Sequence, residues 1–411
     1  MKIKFCRLCK HNKLDSVSYL GNFHYTGLFP SQKTRKVPKG ILELVKCKKC
    51  QLVQLSQNFN PKFFFGDNYG YKSSISKTMT DHLYGIKKYI SSMVNINQND
   101  NILDIGSNDG TLLKFFKNTK AKKLVGIDPS AKNFKKNYKN IGDIIVDFFS
   151  YFNVKRYKKF KVITSIAMFY DLPDPDKFVR DIKNSLDSNG VWYTEQFHIS
   201  GLLKDRCFDS ICHEHLLFLS LKNMYFLAKK NKLKILDVRL SKINGNTFGV
   251  LMSHEKSKYK QMELKLRKFY KFEGKLNIKN KKTWIKFNNE ITNMKNIILK
   301  FIKNERKNNK LIGGYGASTK GNVLLQLCKL NNKSIDYMIE RDPRKFNKFT
   351  PGSKIKIISE KQAKKKNFGS YIVFPWHFKK EILKREEKFF NRGGKLIFPL
   401  PKFRIYKKIK S

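Results

Sequence analysis

The chain has 411 residues, of which 40% are hydrophobic, and its formal net charge at pH 7 is +54. A chain of this length exceeds a single hydrophobic core, so we expect two or three domains. No apolar run approaches the roughly 20 residues that cross a bilayer, and the first residues lack the apolar segment of a signal peptide. These features exclude a membrane-spanning protein and predict a cytoplasmic one with no membrane partner.

The positive charge consists mostly of lysines that are spread over the whole chain. A nucleic-acid-binding protein concentrates its basic residues on one face, whereas dispersed charge is typical of a solvated surface. We therefore disfavour nucleic acid as a partner, although a zinc-containing protein that binds or modifies nucleic acid stays open as an alternative. The same field would attract a nucleotide-bearing substrate.

Two Cys-x-x-Cys pairs stand in the amino-terminal part, Cys6 with Cys9 and Cys47 with Cys50. Each pair presents two thiolates to one ion, and two pairs complete a tetrahedral site with no open position for a substrate. The pattern predicts a structural Zn2+ in a zinc-binding domain over residues 1–75. Such an ion supplies folding free energy to a segment too small to be held together by burial.

The next segment contains Tyr69 and Tyr71 and then several serines before a helix predicted over residues 77–94. Serines in this position are typical helix caps. A polar loop that reaches into a binding site is an equal alternative.

Residues 101–110, Asn-Ile-Leu-Asp-Ile-Gly-Ser-Asn-Asp-Gly, run from an apolar strand into a turn, and a helical pattern follows. Gly106 and Gly110 permit backbone angles closed to other residues and a close approach to a ligand. Acidic residues such as Asp104 would repel a pyrophosphate but suit a cationic, amino-bearing ligand. A second strand ends at Asp128, where such folds place a carboxylate against ribose hydroxyls.

This stretch resembles the first motif of class I S-adenosylmethionine-dependent methyltransferases, which have a Rossmann-like α/β fold. Strand and helix signals alternate over residues 101–253 and predict a parallel sheet, closed by an antiparallel pair of late strands. We assign residues 76–258 to this domain. The resemblance implies that S-adenosylmethionine is bound by Asp104, Gly106, Asn108, Gly110, Asp128 and Asp147.

Histidines and a carboxylate cluster after the fifth predicted strand, in Ile-Cys-His-Glu-His over residues 211–215. His213 and His215 would share a face only on a strand, where they could chelate a metal, but no third ligand is apparent nearby. A general base held by a carboxylate is the more economical interpretation. An imidazole has an unperturbed pKa of about 6.5, and we expect Glu214 to raise this pKa and to fix the tautomer.

A second alternating pattern starts at residue 310, after a helical connector, and predicts a Rossmann-like carboxyl-terminal domain over residues 259–411. Its small, uncharged turn runs from Gly316 to Lys320. This turn suits a phosphate, because N–H groups and a cation converge there. A dinucleotide is an alternative ligand for this domain, but no ribose-binding acid is apparent after Asp336. We expect the basic loop over residues 343–352 to face solvent, with contact to a diphosphate as the alternative.

Taken together, the motifs resemble the three-domain C-methyltransferases of nucleotide-linked deoxysugars. Besides the cysteine pairs and the glycine turn, the resemblance rests on Ser-Ile-Ala-Met-Phe-Tyr-Asp-Leu-Pro-Asp over residues 165–174, the His-Glu-His stretch and Gly-Tyr-Gly-Ala-Ser-Thr-Lys-Gly over residues 314–321. It implies methylation at C3 of a nucleotide-linked 4-keto sugar, with His215 as the base and Glu214 beside it. Tyr71 or Tyr69 would lie near the sugar, and Tyr71 or His213 would donate to the carbonyl oxygen.

The same resemblance implies that further substrate contacts come from Gly316, Ser318, Lys320 and His377. Where some members carry a tyrosine before His-Glu-His, this chain has Cys212, so no tyrosine role carries over to that position. A methyltransferase that acts on oxygen or nitrogen of another small acceptor is the main alternative, and it would need a base but no group that stabilises an enolate. We expect a monomer.

Overall fold

The structure is a computed structural model that describes residues 1–65, 71–307 and 309–407. Its amino-terminal part is an antiparallel meander of β1 (Leu14–His24), β2 (Lys39–Cys47) and β3 (Val53–Leu55). The two cysteine pairs lie at one end of this meander, because Cys47 closes β2 and its partner Cys50 lies in the turn that leads into β3.

The central part of the chain alternates between helices and strands, as the periodicity predicts. Its elements are α1 (Lys77–Met93), β4 (Asn101–Ile105), α2 (Thr111–Phe115), β5 (Lys123–Ile127), α3 (Lys135–Tyr138), β6 (Asp143–Ile145), α4 (Tyr151–Val154), β7 (Phe160–Ile166), α5 (Pro175–Ser185), β8 (Leu186–Phe197), α6 (Ser200–Leu203), β9 (Leu217–Phe218), α7 (Leu221–Lys230), β10 (Leu233–Ser241) and β11 (Thr247–His254). Seven strands form one sheet in the order β10-β11-β8-β7-β4-β5-β6. Only β11 runs antiparallel to its neighbours in this sheet, which confirms the class I methyltransferase fold.

The carboxyl-terminal part is a second doubly wound domain. Its elements are α8 (Glu263–Gly274), α9 (Lys281–Glu305), β12 (Leu311–Tyr315), α10 (Thr319–Leu327), β13 (Tyr337–Glu340), β14 (Ile357–Ser359), α11 (Glu360–Ala363), β15 (Phe368–Val373), α12 (Lys379–Arg385), α13 (Glu387–Asn391), β16 (Lys395–Phe398) and β17 (Arg404–Tyr406). The sheet order is β14-β13-β12-β15-β16-β17, and all pairs except β16 with β17 are parallel. This order confirms the Rossmann-like prediction, and it places a topological switch point at the carboxyl end of β12.

The three parts of the chain are joined by a strand pair and by a common hydrophobic core. The short strand β9 follows the His-Glu-His stretch. It does not join the central sheet but pairs with β3 of the amino-terminal meander. Apolar residues from all three parts pack in one continuous core, including Leu44, Leu217 and Ile355. The amino-terminal sheet is therefore completed by the segment that carries the candidate base.

Within the described ranges, the helices are too short or too polar to pass through a lipid bilayer.

Candidate active site

A large cavity of about 630 Å³ lies where the three parts of the chain meet. Its wall includes Gly27 from the amino-terminal part, the glycine turn after β4, and the turn after β12. Glu214 and His215 line it as well. A concave site of this size between domains is the usual position of a small-molecule ligand.

The glycine turn has the backbone shape that its sequence predicts. Gly106 has φ 71° and Gly110 has φ 79°, in the left-handed region that favours glycine. A Cβ on Gly106 would lie 3.0 Å from Cγ of Met168, so the turn also packs tightly against its neighbour.

Two predicted cofactor carboxylates are buried behind this turn. Asp104 accepts a hydrogen bond from Oγ1 of Thr164 at 2.7 Å, and burial raises the pKa of Asp104 to about 7. A cationic ligand beside it, such as the ammonium group of a bound amino acid moiety, would stabilise its ionised form. Asp128 accepts the N–H groups of Asn108 at 2.8 Å and Ser130 at 2.6 Å, and burial raises its pKa too. Its oxygens have further acceptor capacity for hydroxyl groups.

Asn108 connects the turn to the segment that precedes α1. Its Oδ1 accepts the N–H of Ser73 at 3.1 Å, and its Nδ2 donates to the carbonyl of Tyr71 at 3.2 Å. The segment from Tyr71 to Ser76 lines the cavity, while Ser76 also caps α1 by accepting the N–H of Met79 at 3.3 Å. Both alternatives for these serines therefore hold. Tyr69, the other predicted tyrosine, lies outside the described residues.

The far end of the cofactor side is formed by the residues after β6. Asp147 lines the cavity, but its two oxygens already accept the N–H of Phe148 at 2.7 Å and Nδ2 of Asn153 at 3.0 Å. Phe148, which the sequence analysis did not single out, lines the same wall with 46% of its surface exposed. Its ring offers a flat apolar face on which an adenine base could stack.

His215 has one well-defined tautomer. Its Nδ1 lies 2.8 Å from the carbonyl oxygen of Ser210, which can only accept, so Nδ1 carries the proton and Nε2 the lone pair. Burial, and after it the nearby Lys320 ammonium, lowers the pKa of His215 to about 3. The expectation that Glu214 raises this pKa and fixes the tautomer is wrong, because a carbonyl fixes the tautomer and burial dominates the pKa.

Glu214 lies beside His215, where residues of all three parts line the cavity. Burial raises the pKa of Glu214 to about 7, against the opposing effects of the Thr319 hydroxyl and the Lys345 ammonium. The amino-terminal part approaches it closely, since a Cβ built on Gly27 would lie 2.1 Å from its Oε1. Asp171 lies nearby with its Oδ1 buried, and its pKa is raised by burial and by the charge of Glu214.

His213 has a structural position. It is 1% exposed, and its Nδ1 accepts from the backbone N–H of Thr26 at 3.4 Å while its Nε2 donates to the carbonyl of Gly40 at 3.2 Å. Its ring packs among aromatic residues of the amino-terminal part, and it does not reach the cavity wall. The predicted role as a donor to the substrate is corrected accordingly: His213 ties the His-Glu-His stretch to the amino-terminal domain.

The turn after β12 contributes the predicted substrate residues. Gly316 has φ 87° and no room for a side chain, since a Cβ would lie 2.6 Å from Cδ of Pro375. The hydroxyl of Ser318 caps α10 by accepting the N–H of Gly321 at 3.0 Å. Both residues line the cavity, and the Ser318 hydroxyl is engaged in the cap.

Lys320 and His377 line the cavity on the side of His215. Nζ of Lys320 donates to the carbonyl of Asn244 at 2.6 Å, so the ammonium group reaches toward the central domain instead of folding back over the phosphate-type turn. Burial and Lys320 lower the pKa of His377 well below its ordinary value, and its Nδ1 has no hydrogen-bond partner among the described residues. Lys320 therefore places a positive charge close to His215 and His377.

Two wall residues were missed or misplaced by the sequence analysis. Glu340 ends β13 and lines the cavity, at the place where Rossmann-like folds present a ribose-binding acid. Lys345, in the loop expected to face solvent, donates to the carbonyl of Ala317 at 2.9 Å and keeps only 12% of its side chain exposed. Placing the strand end at Glu340 would have revealed the first residue, whereas the second depends on how the loop folds back.

The four amino-terminal cysteines converge as predicted. The sulfur atoms of Cys6, Cys9, Cys47 and Cys50 lie within 4.8 Å of one another, with 3.5 Å between Cys6 and Cys50 and between Cys9 and Cys47. Four thiolates at such distances fit a tetrahedral, closed Zn2+ site. The donor set therefore suits a structural ion.

Three family models match the chain in succession. They are described as "Putative zinc binding domain" over residues 6–65, "Methyltransferase domain" over residues 81–238 and "C-methyltransferase C-terminal domain" over residues 242–401. The C-methyltransferase NovU of Streptomyces niveus is 26% identical over 418 aligned positions, which cover 97% of this chain and 96% of that protein. A tRNA U34 carboxymethyltransferase of Campylobacter hominis is 30% identical over 137 positions, 32% of this chain and 46% of that protein.

A solved S-adenosylmethionine-dependent methyltransferase from Clostridium acetobutylicum ATCC 824 is 15% identical, with a TM-score of 0.34, and covers 44% of this chain and 93% of that chain. A similarity of this size carries no argument about function. The fold, the glycine turn with its buried acids and the succession of matched segments lead to one conclusion. The chain is an S-adenosylmethionine-dependent methyltransferase with a four-cysteine zinc site, and its segments match in order those of a C-methyltransferase.

Proposed function

We propose that the protein methylates the carbon next to the ketone, C3, of a nucleotide-linked 4-keto-deoxysugar. A C–H bond beside a ketone is acidic only because its carbanion delocalises as an enolate, so such an enzyme needs a base near the carbon and a donor near the oxygen. Bound S-adenosylmethionine supplies the methyl group. Residues of this chain supply the base and the hydrogen-bond donors.

The observation that carries the proposal is the tautomer of His215. Because Nδ1 donates to Ser210, Nε2 holds an unshared electron pair on a ring that lines the same cavity as the cofactor turn. A nitrogen of His215 and an oxygen of Glu214 lie within 4.8 Å of each other. In the proposed reaction, an ionised Glu214 at this distance attracts the positive charge that His215 acquires with the proton, and this attraction offsets part of the effect of burial on the imidazole.

Lys320 and Tyr71 are the donors for the enolate oxygen. Both line the cavity, and the Lys320 ammonium lies near enough to His215 to depress the pKa of the imidazole. Tyr71 is 38% exposed, and its phenol, with an ordinary pKa of about 10, is protonated at neutral pH and can donate. Preorganised donors of this kind stabilise the developing negative charge in a site that excludes water.

The carboxyl-terminal side of the cavity suits the nucleotide part of the substrate. The backbone at Gly316 and the ammonium of Lys345 flank the turn after β12, and Glu340 stands one strand away with an oxygen 3.8 Å from Nζ of Lys345. An N–H-rich turn with a cation favours a diphosphate, and the acid favours ribose hydroxyls. The substrate would thus span from the carboxyl-terminal turn to His215.

The test is hydrogen exchange in deuterated water, followed by NMR, on a nucleotide-linked 4-keto-6-deoxysugar with the protein and S-adenosylhomocysteine. We expect deuterium at C3 with the wild-type protein and none with His215→Ala. His254→Ala is the matched control, because His254 also contacts a carbonyl, that of Leu186, but lies outside the cavity wall. Cofactor binding without exchange in several such sugars would overturn the proposal and favour methylation of oxygen or nitrogen.

A further inference from the structure

Cys212, Glu214 and His215 bring three different metal-binding atoms together. The Cys212 sulfur, a carboxylate oxygen of Glu214 and a ring nitrogen of His215 all lie within 4.8 Å of one another. The sequence analysis considered His213 and His215 as a metal pair and found no third ligand nearby. In the structure His213 lies elsewhere, and Cys212 and Glu214 are the residues that approach His215. Sulfur, oxygen and nitrogen donors in one cluster are a donor set that zinc and related cations accept.

Asp171 adds a second observation at the same place. Its Oδ1 is buried and has no hydrogen-bond partner within the described part of the chain. The residue lies close enough to Glu214 and Cys212 for its charge to act on both. An unpartnered carboxylate oxygen buried beside the cluster favours a bound cation, which compensates its negative charge.

We propose that Cys212, Glu214 and His215 form a second cation site, which takes one thiophilic divalent ion of the Zn2+ type. The thiol proton of Cys212 leaves to solvent when the metal–sulfur bond forms. Three protein ligands leave a fourth position open, in contrast to the closed four-thiolate site of the amino-terminal domain. Hard cations such as Mg2+ are disfavoured, because they demand oxygen ligands.

The site has a consequence for turnover, and this consequence rests on the proposed function. A cation on Nε2 of His215 occupies the electron pair that accepts the C3 proton, and a cation on Glu214 cancels the negative charge that attracts the imidazolium. Thiophilic cations therefore inhibit the enzyme reversibly. In this proposal Cys212 takes no part in proton transfer, and its thiolate is the ligand that makes inhibition by a thiophilic cation possible.

The experiment is a titration of Co2+ into the full-length, zinc-loaded protein, followed by absorption spectroscopy. We expect one Co2+ per chain, with a sulfur-to-cobalt charge-transfer band and tetrahedral ligand-field bands, while metal analysis shows that Zn2+ is retained. Cys212→Ser is expected to lose the charge-transfer band and keep its turnover. Cys328→Ser is the matched control, because Cys328 is likewise a buried thiol but lies at the end of α10.

Absence of the band in the wild-type protein, or an equal band in Cys212→Ser, would overturn the site. The second arm adds Zn2+ to the turnover assay. The wild-type protein is expected to be inhibited, and its activity is expected to return when a weak chelator removes the added Zn2+ but leaves the four-thiolate ion bound, while Cys212→Ser stays active. If the Co2+ spectrum appears but added Zn2+ does not inhibit turnover, the cation site is supported and His215 is not the base. The two proposals can therefore be refuted independently.

Discussion

Gly27→Ala tests whether the amino-terminal domain positions the catalytic carboxylate. A Cβ at Gly27 would lie 2.1 Å from Oε1 of Glu214, whereas ordinary van der Waals contact begins at 3.4 Å. The carboxylate would have to retreat by about 1.3 Å, the difference between these distances. Misplacement of a reacting group by about 1 Å costs roughly 100-fold in rate, which corresponds to about 2.7 kcal/mol in the barrier.

We therefore expect kcat of Gly27→Ala to fall by roughly 100-fold. The melting temperature and the affinity for S-adenosylhomocysteine should stay near those of the wild type, because the displaced atom is the end of a flexible side chain and Gly27 is not among the glycines with positive φ. Steady-state turnover, calorimetry and thermal unfolding measure the three quantities.

Gly85→Ala is the matched control for this prediction. A Cβ at Gly85, within α1, meets nothing within 4 Å, so the variant should keep full turnover and gain up to about 1 kcal/mol in unfolding free energy from its helix propensity. A folded Gly27→Ala protein with wild-type kcat would refute the reasoning, since it would show that the position of Glu214 does not matter to the reaction.

The pH dependence of kcat should report the ionisation of Glu214. Burial raises the pKa of Glu214 to about 7, and the proposed reaction needs this carboxyl ionised beside His215. We therefore expect kcat to rise with pH up to about 7 and then to level off. Saturating cofactor isolates this group from Asp104, whose pKa is also about 7 but which acts on cofactor binding. If the residual activity of Glu214→Gln still rises with pH up to about 7, the rise comes from another residue, and the prediction is contradicted. Removal of Zn2+ by a chelator is expected to abolish turnover while calorimetry still shows binding of S-adenosylhomocysteine, because β3 pairs with β9 directly after His215; unimpaired turnover of the metal-free protein would contradict this coupling.

The fold was predictable because its signals are local. The strand that carries Asp104, the glycines of both turns and the two cysteine pairs are each indicated by residues close together in the sequence. Periodicity then defines the helices between the strands, and the connection rules of parallel sheets do the rest. The same reasoning located β12 and the turn at Gly316.

The chemistry of the site was less predictable, because it depends on contacts between distant residues. The backbone N–H of Thr26 that binds His213 comes from 187 positions earlier in the chain, so no local pattern could separate this histidine from His215. The direction of the His215 pKa likewise follows from burial and from Lys320, which belongs to another domain. Sequence spacing can bring titratable groups to one loop, but tertiary packing decides which of them faces the ligand.

These contacts give the amino-terminal domain a role beyond carrying its ion. Its sheet accepts β9, Thr26 and Gly40 hold His213, and Gly27 forms a wall against Glu214. The stretch with the base therefore lies between two anchors, the β3–β9 pair on one side and the Ser210 carbonyl on the other. A loop anchored in this way loses little conformational entropy on reaching the reactive geometry, which is what preorganisation requires. We therefore expect the zinc ion to affect the rate without touching the substrate, because it would fix the sheet against which His215 is positioned.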